Sequence, residues 1–153
     1  MKRNTNGFTI IELLVVIVVL GILATIGVMS FSRVQANGRD SQRYYKIKVI
    51  AEALEKYYDK NGEYPGCVAM TQTPDIVTSN TLKDMDASAL TAPNSTSGTN
   101  SFTCNEISIS DSGSFAFIGD GTGACSSGSA CTNFTLKYVE EGSESIKTIT
   151  SRR

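Results

Sequence analysis

The sequence predicts an α+β fold: a long N-terminal helix packed on a small antiparallel β-sheet, with disulfides stapling the polar part. Three observations lead there. An unbroken apolar run near the N-terminus passes directly into an amphipathic stretch. The last third of the chain carries short alternating segments separated by turn residues. Four cysteines all fall after the helical pattern has ended. At 153 residues, the chain has room for one ordinary domain.

The apolar run comes first. From Ile10 to Phe31, 17 of 22 residues are apolar, although the whole chain is only 41% apolar. Leu13 to Phe31 is 19 residues without a charge. As an α-helix it would reach about 28 Å, close to the ~30 Å hydrocarbon core of a bilayer. Lys2 and Arg3 precede it with no acid nearby, which favours a cytoplasmic N-terminus and a body outside. A secretory signal would have a shorter run and a small-residue cleavage site. A plain single-pass anchor fits the length, but gains nothing from Glu12. A carboxylate at the edge of hydrocarbon costs several kcal/mol unless it is paired or protonated.

Arg33 to Lys60 continues as an amphipathic helix. Ile47, Ile50, Ala51, Leu54 and Tyr57 or Tyr58 fall at i, i+3, i+4, i+7. Glu52 and Lys56 form an i,i+4 pair. Asn61-Gly62 stops the helix and Pro65 follows. A helix from about Ile10 to Lys60 would be about 75 Å long, far beyond a globular helix. Gly21 and Gly27 are its expected loosening points, each costing about 1 kcal/mol against Ala. The charges of its second half, Arg33, Arg39, Arg43, Lys46, Lys48, Lys56 and Lys60 against Asp40, Glu52, Glu55 and Asp59, read as a solvated helix face plus complementary packing between basic and acidic surfaces of different subunits.

The body is polar. Val68 to Asn105 reads as loops with a short helical turn around Leu82–Leu90. Four strands follow: Glu106–Ser110, Ser114–Gly119, Phe134–Val139 and Ser145–Thr150. Asp111-Ser112-Gly113 and Glu140–Ser143, which contains Gly142, make the turns. The sheet's apolar face is expected on the second half of the helix.

Cys67, Cys104, Cys125 and Cys131 show neither CxxC nor zinc spacing, so disulfides are favoured over metal. The preferred pairing is Cys67–Cys104 with Cys125–Cys131, though spacing alone leaves three pairings open. The first bridge would contribute about 3–4 kcal/mol in the chain-entropy model. Gly119-Asp120-Gly121-Thr122-Gly123 is no phosphate loop, lacking G-K-[ST] and a following helix, and Asp120 alone is too few acids for calcium. Asn94-Ser95-Thr96 and Asn133-Phe134-Thr135 match the glycosylation sequon, a weak signal in a Ser/Thr-rich chain.

Composition also narrows chemistry. The formal net charge is −1, and there is no His and no Trp. Imidazole-dependent triads, bases and metal sites are therefore excluded. No catalytic constellation, metal site or cofactor is expected, and the chain reads as a non-enzyme.

Gly7-Phe8-Thr9-Ile10-Ile11-Glu12-Leu13-Leu14-Val15-Val16 resembles the type IV prepilin signature. The Tyr57-Tyr58-Asp59-Lys60-Asn61-Gly62-Glu63-Tyr64-Pro65 turn is similar to the helix end of type IV pilins and type II secretion pseudopilins. The resemblance implies a pilin-like fold and divides the chain into a leader (1–7), a transmembrane and filament-core helix (8–31), an amphipathic half-helix (32–62) and a polar head (63–153). It implies cleavage after Gly7 by a membrane peptidase, which also methylates the new amino group of Phe8. Loss of Lys2 and Arg3 would leave 12 basic and 15 acidic side chains, formally −3. Glu12 is implied in filament assembly, its carboxylate meeting the Phe8 ammonium of a neighbour. Expected partners are copies of the chain and other pilins, the prepilin peptidase/methyltransferase, an assembly platform and the membrane. DNA is the weakest partner expectation: Tyr44 and Tyr45 lie near basic residues, but the run is mixed in sign. The function implied is a structural subunit of a pilus-like filament. The rivals are a secretion pseudopilin and a minor pilin binding DNA or surfaces. The missing calcium-site pattern of major pseudopilins favours the pilus.

Overall fold

The computed structural model of the chain describes residues 8–96, 98–119 and 131–152, without the side chains of 27–30. Helix α1 runs from Ile10 to Asn61. Two short helices, α2 (Cys67–Met70) and α3 (Pro74–Ile76), follow, then a π-turn at Val77–Thr81 and a 3₁₀ turn at Ala87–Leu90. Four strands form one sheet in sequence order: β1 (Phe102–Thr103), β2 (Phe115–Gly119), β3 (Phe134–Glu140) and β4 (Ser145–Thr150). The chain divides into two compact units, one ending at Ala36 and one from Asn37 onward.

In the N-terminal unit the side chains from Ile10 to Ile26 are exposed, with Ile10 at 85% and Leu20 at 59%. The helix is long and apolar enough there to cross a membrane. Among the described residues nothing covers these side chains, so the hydrophobic effect is unused at this surface.

In the second unit, Ile47, Ile50 and Leu54 of α1 are fully buried and meet Phe115, Phe117, Phe134, Leu136 and Tyr138 of the sheet. The predicted i, i+3, i+7 face is the core face. Phe134 lies edge-on to Tyr64, with ring centroids 4.9 Å apart. The helix stops as expected: Gly62 takes φ +76°, and its N–H donates to the Tyr58 carbonyl at 2.7 Å. A side chain there would meet the left-handed penalty that glycine avoids.

The sheet departs from prediction at one edge. β2–β3 and β3–β4 are antiparallel, but β1 pairs parallel to β2, so the sheet is mixed. The expected strand at Glu106–Ser110 is not a strand. Its serines instead turn the chain: Ser108 donates from its N–H and its hydroxyl to the Asp111 carboxylate at 2.8 and 2.9 Å. Such local side-chain bonds compete with a ladder. Ile107 still buries, packing with Ala116, Ile118 and Val139 on the sheet face away from the helix. β2 is therefore buried on both faces. The loop 68–101 carries more helical turn than expected, with only the Ala87–Leu90 turn falling inside the predicted stretch.

Cys67 and Cys104 are bonded, Cα to Cα 5.8 Å, tying α2 to the residue after β1. Cys131 is also disulfide-bonded. Its expected partner Cys125 lies outside the described residues, as do Asp120 and Gly7.

Candidate assembly site

The site begins at the start of α1. Thr9 precedes the first helical residue, and Glu12 sits in the first turn. The Glu12 N–H donates to Thr9 Oγ1 at 3.2 Å, and the Thr9 N–H donates to Glu12 Oε2 at 2.9 Å. The Thr9 hydroxyl donates to the same oxygen at 2.7 Å. This is a capping box, two orphan amides satisfied reciprocally. Thr9-x-x-Glu12 is the sequence pattern for it, and a Glu12 that caps its own helix is the alternative the sequence leaves open to a role in assembly. Both Thr9 bonds use Oε2. Glu12 Oε1 has no hydrogen-bond partner among the described residues, and neither oxygen meets a cation there. Phe8, next to the cap, is 76% exposed.

A second constellation lies in the other unit. Its charges were expected to be solvated, but Arg43 is fully buried and Asp40 is 7% exposed. Arg43 donates from Nη1 to Asp40 Oδ1 at 2.8 Å, from Nε to the Ser112 carbonyl at 3.0 Å, and from Nη2 to Glu141 Oε1. Asp40 accepts from the N–H groups of Glu141 and Gly142, both at 2.8 Å. Arg39 reaches Glu141 Oε2 through Nε at 3.0 Å and Nη2 at 2.6 Å, and the Asn94 amide donates to Oε1 at 2.6 Å. The β3–β4 turn is thus held to α1 by a paired, fully hydrogen-bonded charge cluster. Burial pushes Glu141 up, but hydrogen bonds and charge from Arg39 and Arg43 outweigh it and hold the carboxyl below its ordinary value. Helical spacing puts Asp40 and Arg43 on the face of Ile47 and Ile50, but the partner that lets the arginine be buried, Glu141, is about a hundred residues away in sequence.

Gly142 belongs to this latch through space, not φ. The positive φ in the turn belongs to Glu144, at +47°. A Cβ on Gly142 would lie 2.7 Å from Asn37 Oδ1 and 3.2 Å from Asp40 Oδ2. Asn37 is exposed and can swing away, whereas Asp40 is pinned by two amides. Gly142→Ala should therefore cost less than about 1 kcal/mol, and Gly142→Val about 1–3 kcal/mol. Urea midpoints of the two variants check the order.

Comparison with known proteins bears on the first site. Residues 2–28 match the family model of the prokaryotic N-terminal methylation motif. The chain is 34% identical over 62 residues to the type IV major pilin protein PilA of Myxococcus xanthus, covering 40% of this chain and 28% of that one. It is 33% identical over 66 residues to a fimbrial protein of Neisseria meningitidis, covering 43% and 39%. It is 36% identical over 77 residues to the type II secretion system core protein G of Pseudomonas aeruginosa, covering 48% and 54%. The chain thus spans between about a quarter and a half of the length of these relatives. No solved structure matches. The methylation motif at 2–28 and a long helix on a small disulfide-stapled sheet are the features that go with this similarity to type IV pilins and a type II secretion core protein G.

Proposed function

We propose that the chain is a structural subunit of a type IV pilus-like filament. It waits in the membrane as a precursor, loses residues 1–7 by cleavage after Gly7, and is methylated on the new amino group of Phe8. Its partners are copies of itself and other pilins, a prepilin peptidase/methyltransferase and an assembly platform. The observation that carries this reading is the methylation motif at 2–28 leading into a helix whose apolar side chains from Ile10 to Ile26 are left exposed among the described residues. In the precursor the bilayer covers them, and in the filament neighbouring helices do. The role is structural rather than catalytic.

The uncommitted Glu12 Oε1 supports a further element of the proposal. It is free to accept from the Phe8 ammonium of a neighbouring subunit while Oε2 stays in the cap. Each charge then offsets the other's desolvation. A secretion pseudopilus is the second reading, favoured by the 36% identity over 77 residues to a type II core protein G. Filament length and location separate the two.

The test is the intact mass and N-terminal sequence of the protein from processing-competent cells. A chain starting at N-methyl-Phe8 is expected. Gly7→Val should leave the full precursor in the membrane, because only a residue without Cβ leaves the scissile backbone open. Normal trimming of that variant would remove the peptidase from the account.

A further inference from the structure

A cleft of about 560 Å³ in the Asn37–Arg153 unit lies between α1 and the β3–β4 hairpin. That is within the ~300–1,000 Å³ range of small-molecule sites. Asn37, Ser41 and Tyr44 line it from the helix, and Tyr138, Glu140 and Ser143 from the hairpin. One of these groups points to a ligand. Tyr138 is 4% exposed, yet its hydroxyl has no hydrogen-bond partner among the described residues. Among the described residues no fully buried side-chain oxygen is left unbonded, so this hydroxyl is accessible at the cleft it lines. The ring is buried and the hydroxyl accessible at the cleft wall, so it is a fixed donor that a ligand can take over from water.

We propose that this cleft binds a neutral pyranose sugar. Tyr44, 52% exposed, offers a ring face for the apolar face of the sugar. Tyr138 gives a hydroxyl donor, and Asn37, Ser41 and Ser143 give short amide and hydroxyl groups of both kinds. The charges decide the ligand's sign. The cleft is lined by the carboxylates of Asp40 and Glu140 and by no Lys or Arg, so uronic acids and phosphates are disfavoured. Both carboxylates are also already answered: Asp40 by Arg43 and two amides, Glu140 by Lys147 at 3.3 Å and the Ser143 hydroxyl. They keep acceptor lone pairs but leave no unmatched charge to demand a cation. That pattern fits hydroxyl donors. Burial, then Glu140, Tyr44 and Asp40, pushes the Tyr138 phenol up, so it stays protonated and donates. The inference is independent of the filament reading, since every group in it lies beyond the apolar stretch of α1.

The full-length chain, in a detergent without a sugar headgroup, is mixed with methyl glucoside, methyl galactoside or N-acetylglucosamine. Saturation-transfer NMR then reads contact. Transfer to the ring protons of at least one glycoside is expected. Tyr138→Phe should weaken it about fivefold, the worth of one hydrogen bond, while leaving the thermal midpoint unchanged. Tyr44→Ala should abolish it, and glucuronate should bind more weakly than glucose. No transfer from any of the three glycosides would overturn the proposal. So would equal binding by wild type and both variants, or methylguanidinium binding where the glycosides do not.

Discussion

Arg43→Ala should destabilise the Asn37–Arg153 unit by about 3–5 kcal/mol, the range for breaking a buried pair by removing one partner. For a unit of this size that corresponds to a fall in melting temperature of roughly 10 °C or more. Arg43 is fully buried, and its loss leaves the 7% exposed Asp40 without its cation and the Ser112 carbonyl without its donor. Glu141 suffers less, because Arg39 still holds its other oxygen. Arg39→Ala should cost much less, since its side chain is a third exposed and the pair is screened by solvent. The same cluster sets an acid limit. Glu141 titrates below its ordinary value in the fold, so its contribution is fully present above the unfolded carboxyl pKa and disappears as pH falls through the folded one. Melting curves of wild type and Arg43→Ala at pH 7 and at progressively lower pH check both claims. Equal melting temperatures at pH 7 would mean the cluster contributes nothing.

The latch also shows where sequence reading stops. The core face of α1 was legible because Ile47, Ile50 and Leu54 repeat at helical spacing, and periodicity is a local property. Gly62 was legible for the same reason, as were β3 and β4, each an alternating segment bounded by turn residues. β1 was not. Phe102–Thr103 is too short to alternate, and its parallel partner begins at Phe115, across a loop whose own Ile107–Ile109 alternation imitates a strand. Ile107 is buried and Ile109 exposed, which a turn held by Ser108 and Asp111 achieves without a ladder. The charged residues failed differently. Arg43 lies four residues before Ile47 and seven before Ile50, so spacing puts it on the core face and exposed Lys48 off it, yet its charge argued for solvent. What buries Arg43 is Glu141 and the Ser112 carbonyl, both brought by tertiary folding. At the assembly site the motif showed Glu12 as unusual, but its immediate chemistry, the Thr9 cap, was equally visible in Thr9-x-x-Glu12.

That cap makes the Glu12 prediction sharper than a single substitution allows. Two roles compete for one carboxylate: closing its own helix, and pairing with a neighbour's amino terminus. Glu12→Val removes both. The variant should insert and be trimmed normally, yet join filaments at least about tenfold less, the factor that ~1.4 kcal/mol per contact would give. Thr9→Ala removes the cap and keeps the charge. It should cost about 1 kcal/mol of helix-end stability and leave assembly close to wild type. Glu12→Gln separates the roles from the other side, because a glutamine oxygen still accepts from the Thr9 N–H but carries no charge. If the carboxylate acts between subunits, Glu12→Gln fails to assemble as Glu12→Val does, and Thr9→Ala succeeds. If it acts only as a cap, the order inverts. The charge has the larger stake on physical grounds. In the chain as folded, Glu12 is at the exposed end of its helix, where a lost cap costs about 1 kcal/mol. Packed among apolar helices, the same carboxylate without a partner costs several, and so does an unpaired Phe8 ammonium. Sheared-filament yield, measured beside the amount of trimmed protein in the membrane, reads which order holds.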